Sequence, residues 1–107
     1  MKITPSLVKV ATALLDAPKE RHWGYRLSVD SGVRSGVLYP ILGRMMDEGW
    51  LTDGWEDPSE ANGRPPRRYY EITDTGLREL GAAQSRFLAS QARVGATRPQ
   101  QARLAMT

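Results

Sequence analysis

The residues able to do chemistry are few and unevenly placed. The only histidine, His22, stands beside Trp23 with no nucleophile or carboxylate cluster near it. One imidazole alone makes neither a metal site nor a proton relay. Asp47 and Glu48 are neighbours, but they fall where a helical stretch ends and read as a solvated terminus. There is no cysteine, which excludes disulfides, zinc–thiolate sites and thiol catalysis. No Ser/His/Asp or Cys/His set and no phosphate loop is present, so neither an enzyme nor a cofactor is expected. What remains is hydroxyl and guanidinium chemistry. Ser35 and Tyr39 lie in one stretch, and Arg64, Arg67 and Arg68 surround Pro65 and Pro66 in another. Such groups bond phosphate oxygens and base edges.

Residues this sparse need elements to position them, and the chain is short. Its 107 residues fit one small domain, 40% hydrophobic and 25% charged. A domain of this size gains by burying one more face against a second copy. No apolar run approaches the ~20 residues of a membrane span, and the first residues lack the features of a signal peptide. A cytoplasmic location without membrane contact is the expectation. Net charge is +3, but residues 1–76 hold ten Lys/Arg against eleven Asp/Glu, while 77–107 hold five against Glu79 alone. Bulk charge is therefore weak evidence for nucleic acid, and the arrangement must decide.

Leu7, Val8, Ala11, Leu14 and Leu15 form a helical stripe over 5–16, with Thr4 as cap and Pro5 in the first turn. A polar connection over 19–24 leads to a short helix over 25–30, turned at Ser31-Gly32. A third helix is predicted over 36–48, capped by Ser35 and closed by Gly49, with Leu38, Ile41, Leu42 and Met45 inward. Two short helices joined by a glycine turn suggest a helix-turn-helix. Strands over 50–55 and 67–73 then flank a loop over 57–66, forming a β-hairpin with a long mobile tip. Trp50 and Trp55 read as core or hairpin packing. A last helix over 75–94 carries Leu77, Leu80, Phe87 and Leu88 in a seam that Gln84 and Gln91 interrupt. Residues 95–107 read as a disordered tail.

The fold class expected is mainly α with a small β-hairpin wing: a winged helix-turn-helix over 1–74 plus a C-terminal helix over 75–94. Inward placement of the apolar stripe turns Ser35, Gly36, Tyr39, Pro40 and Gly43 outward. Glycine there lets backbone approach a duplex closely. Arg34 at the start of the helix and Arg44 on its flank complete the expected DNA-facing set, with Arg64, Arg67 and Arg68 from the wing. Tyr25 and Arg26 could also reach the DNA backbone. Glu56, Asp57 and Glu60 on the approach to the wing oppose its field. Leu7, Leu14, Leu77, Leu80, Phe87 and Leu88 are expected at a dimer interface or in the chain's own core.

The runs Gly24-Tyr25-Arg26-Leu27, Ser35-Gly36-Val37-Leu38-Tyr39-Pro40-Ile41-Leu42 and Asp47-Glu48-Gly49-Trp50-Leu51 resemble PadR-type transcriptional regulators. So does Gly63-Arg64-Pro65-Pro66-Arg67-Arg68-Tyr69-Tyr70-Glu71-Ile72-Thr73, followed by Gly76. The resemblance covers about residues 5–80 and implies dimerisation through the terminal helices. It also implies transcriptional control, usually repression, released in some members by a small-molecule effector. Many members carry a larger helical C-terminal domain, whereas one helix follows the wing here, which leaves an effector pocket unsupported. The expected partners are double-stranded DNA with a pseudo-palindromic site and a second copy of the chain. Two other readings stand beside this: a winged helix used for protein–protein contact without DNA, and a repressor with an effector pocket lined by Trp23, Trp50 or Phe87.

Overall fold

The structure, a computed structural model, describes residues 1–106, with side chains through Arg93. Helix α1 (Pro5–Leu15) starts where expected: the Leu7 amide donates to Thr4 Oγ1 at 3.1 Å, and Pro5 occupies the first turn. Its Leu7, Val10, Ala11 and Leu14 are buried. Two residues missed by the sequence reading, His22–Trp23, form strand β1, too short to show any alternation. They run directly into α2 (Gly24–Ser31).

Gly32 closes α2 in the left-handed conformation, at φ 73°, where a side chain would be strained. Ser28 Oγ donates to the Val33 carbonyl at 2.7 Å, and the Val33 amide donates to Ser31 Oγ at 3.1 Å. These bonds fix the turn before α3 (Ser35–Asp47). The expected cap differs: Arg34, not Ser35, holds the N-cap position of α3, and no side chain caps it. Pro40 lies inside α3, on its exposed face.

Strands β2 (Leu51–Trp55) and β3 (Arg68–Ile72) form the hairpin, and β1 adds to the other edge of β3, giving the antiparallel order β1-β3-β2. The register pairs Leu51 with Ile72, Trp55 with Arg68, and His22 with Tyr70. The tip is not the unstructured loop expected. Residues Pro58–Ala61 form a helical turn, α4, capped by Asp57, whose carboxylate accepts from the Ser59 amide at 2.9 Å. Asp57-Pro58-Ser59-Glu60 has the residue types of a helix start, a signal that the proline-rich neighbourhood hid.

Helix α5 (Asp74–Met106) follows after Thr73 alone. Thr73 Oγ1 accepts from the Gly76 amide at 3.0 Å and donates to the Gly49 carbonyl at 2.6 Å, so one hydroxyl starts α5 and ties it to the end of α3. Gly76 packs directly on the Trp50 backbone, leaving no room for a Cβ. The segment 95–107, read from sequence as a tail, carries side chains outside the described residues.

The core draws on every layer: Leu7, Val10 and Leu14 of α1, Leu27 of α2, Leu38, Ile41, Leu42 and Met45 of α3, Leu51 and Tyr70 of the sheet, and Leu80 of α5. Leu7, Leu14 and Leu80, grouped by sequence with a dimer interface, are thus fully used inside the chain. Periodicity reports that a side chain is covered, not by which copy. Leu77 and Leu88 remain 44% and 57% exposed, and Phe87 is half-buried. Trp50 is in the core, but Trp55 is 66% exposed, against the packing role expected for it. Its strand ends at the wing tip, beyond the reach of the core.

Candidate nucleic-acid interface

Helix α3 presents the face that its stripe dictates. Ser35, Gly36, Tyr39 and Pro40 are exposed, Gly43 is half-buried, and Arg34 and Arg44 flank them at the surface. A Cβ built on Gly36 or Gly43 would meet nothing within 4 Å, so the space beside both is open. Tyr39 lies across Gly24 at the start of α2, where a larger residue would collide with its ring. The exposed face of α3 and the first turn of α2 therefore meet at Tyr39 and Gly24. Arg44 sits beside Met1, Lys2, Asp47 and Glu48 at the far end of the helix.

The wing arginines, one run in sequence, have separate fates. Arg64 grips Glu56 with two bonds, Nη1 to Oε1 at 2.7 Å and Nη2 to Oε2 at 3.0 Å, and Nη1 also donates to the Pro65 carbonyl at 3.3 Å. Glu56 is only 7% exposed and accepts the Arg67 amide at 3.4 Å as well. The Arg64 guanidinium beside it holds its carboxyl below the ordinary value, against the opposing effect of burial. Arg68 donates Nε to Asp53 Oδ2 at 2.7 Å and lies over the Tyr70 ring, 5.4 Å from its centre. Arg67 instead lies over the Tyr25 ring at 4.8 Å and, with Arg34 and Arg44, forms no ion pair among the described residues. Arg26 pairs with Asp30 at 3.3 Å.

Three elements meet here. Gly24 and Tyr25 of α2, Tyr39 of α3, and Arg67, Arg68 and Tyr70 of the wing line a hollow of about 340 Å³. Sequence reasoning put Tyr39, Arg67 and Arg68 on one surface, and they do converge. It missed Tyr70, whose signal was available: in a Tyr-Tyr pair on a strand, one ring must face the core and bring its hydroxyl along. On the other face of β3, Tyr69 stacks edge-on against Trp23 at 5.7 Å, with Arg21 over its ring at 4.2 Å. A second groove, about 600 Å³, runs between α1, α2 and Phe87 of α5. Its lining includes Phe87 but neither Trp23 nor Trp50.

No group of His, Cys, Asp or Glu able to hold a metal occurs among the described residues. Among them, too, no helix is long and apolar enough to cross a membrane.

Comparisons with known proteins agree with this architecture. The model of the transcriptional regulator PadR-like family matches residues 18–82. A PadR family transcriptional regulator from Eggerthella lenta is 28% identical, with TM-score 0.67 over 86% of this chain and 83% of that one. A PadR-like transcriptional regulator from Bacillus cereus is 26% identical, with TM-score 0.65 over 85% and 88%. A PadR family transcription regulator from Clostridium difficile shares the fold, at TM-score 0.72 and 15% identity over 88% and 98%. No curated protein matches the sequence. The matched span takes in α2, α3, the wing and the start of α5, which are the elements that build the surface described above. The chain belongs to the PadR-like family, whose members are transcriptional regulators and not enzymes.

Proposed function

We propose that the chain represses transcription as a homodimer on a pseudo-palindromic operator. Each protomer inserts the face of α3 bearing Arg34, Ser35, Gly36, Tyr39, Pro40 and Gly43 into the major groove, with Arg44 reaching a phosphate. The observation that carries this reading is the open space beside Gly36 and Gly43, on the one α3 face that the core leaves bare. A duplex can approach the helix backbone there more closely than past any other side chain. The wing contributes Arg67 directly, because Arg64 and Arg68 are already held by Glu56 and Asp53. The exposed Leu77 and Leu88 on α5, with Phe87, form the apolar part of the contact between protomers. The groove beside Phe87 is the place such a dimer offers a small-molecule effector. Two-fold symmetry then sets half-sites about 34 Å apart, one helical turn.

The test is fluorescence anisotropy with a duplex from upstream of the chain's own gene, across a salt series. Tight binding that weakens steeply with salt is expected, with loss of specific binding in Tyr39→Ala combined with Arg67→Ala. Absence of specific binding by folded protein to any such duplex would favour the protein-contact reading instead.

A further inference from the structure

We propose that the hollow joining α2, α3 and β3 is the seat of one DNA backbone phosphate, and that the buried Tyr70 hydroxyl at its floor donates to a phosphate oxygen. This rests on the DNA-binding reading and adds to it a residue outside the exposed recognition face. Tyr70 is 1% exposed, yet its hydroxyl makes no hydrogen bond among the described residues. A hydroxyl stripped of water and left without a partner destabilises a core. The described residues nevertheless include no fully enclosed side-chain polar atom lacking a partner. The Tyr70 oxygen therefore reaches open space, and the space its side chain lines is this hollow.

The rest of the lining suits the same ligand. Tyr25 and Tyr39, both exposed residues, bring hydroxyls, and Arg67 brings a guanidinium with no ion pair among the described residues. Trp23 at the N-cap of α2 offers no side-chain acceptor, so the first amides of that eight-residue helix await an acceptor from outside. Asp53, paired with Tyr70 across the strands, is engaged by Arg68. Burial pushes the Tyr70 phenol up, so it keeps its proton and acts as a donor at neutral pH. A pocket of donors with one free positive charge, next to the bare face of α3, matches a phosphodiester of the bound duplex.

The experiment compares the full-length chain with Tyr70→Phe, Arg67→Gln and Tyr69→Phe on the same upstream duplex. Tyr70→Phe keeps the buried ring, so its melting temperature should equal or exceed that of the parent. Its affinity should fall about tenfold for each protomer, about a hundredfold for the dimer, as for one bond to a charged group per copy, with the log–log salt slope unchanged because no charge is lost. Arg67→Gln should lower that slope by about 1.8, about 0.9 for each protomer of the dimer. Tyr69→Phe, on the opposite face of β3, should bind like the parent. Parental affinity in Tyr70→Phe, or a loss matched by a fall in melting temperature, overturns the seat while leaving DNA binding intact. Failure of the parent to bind DNA overturns the underlying reading instead.

Discussion

Glu56 is the sole buried charged side chain among the described residues, and Arg64 is bound to it at both nitrogens. A guanidinium held this way would have to abandon a carboxylate it already faces before it could neutralise a phosphate. Arg64 is therefore better suited to bracing the wing than to touching DNA. Arg64→Gln should leave the salt slope of DNA binding at the parental value, whereas Arg67→Gln lowers it; a fall of about 1.8 for Arg64→Gln, about 0.9 per protomer, would restore Arg64 to the contact set. The pair also has a pH signature. Because folding holds the Glu56 carboxyl below its ordinary 4.5, its contribution is complete above that value and disappears as pH falls through the lower folded value. Sequence reasoning saw that Glu56 opposed the wing's field, but not which arginine it would meet. That choice depends on the Trp55–Arg68 register and on the α4 turn, neither of which is written in any single residue.

The helices were legible because apolar residues recur at helical spacing and Thr4, Gly32 and Gly49 punctuate them. The hairpin was legible from its alternation, and its tip was misread because prolines mask a capped turn. Strand β1 was invisible, since two residues show no period and acquire strand geometry only from β3. The junction of β3 with α5 is the tightest point in the fold. Gly76→Ala places a methyl group against the Trp50 backbone, which cannot yield as a side chain would. A loss of about 2–3 kcal/mol is expected, read as a lowered denaturant midpoint with unchanged slope. A midpoint within error of the parent would show that α5 can tilt away freely.

In the whole molecule, periodicity grouped Leu7, Leu14, Leu77, Leu80, Phe87 and Leu88 without separating the chain's own core from a surface left open. Leu7, Leu14 and Leu80 are covered by the chain itself, so among the described residues an interface on α5 has chiefly Leu77, Phe87 and Leu88 to draw on. Leu88, 57% exposed, can take a charge without disturbing the core. Leu88→Glu should keep the parental melting profile at low concentration while shifting light scattering from dimer toward monomer. A dimer unaffected by this change would place the interface elsewhere. Monomeric protein should also bind its operator far more weakly, because the second half-site ceases to be an intramolecular event.

The middle position of β3 links the two ends of this regulator. One end passes through Thr73 alone into α5, and the other carries Tyr70, Arg68 and Arg67 to the hollow beside the recognition helix. Hydrogen-bonded on both edges, β3 has little freedom to bend or to slide past its neighbours. In the proposed dimer it would act as a push-rod: a tilt of α5 would pass through Thr73, with no loop between, to the side chains proposed to grip the duplex.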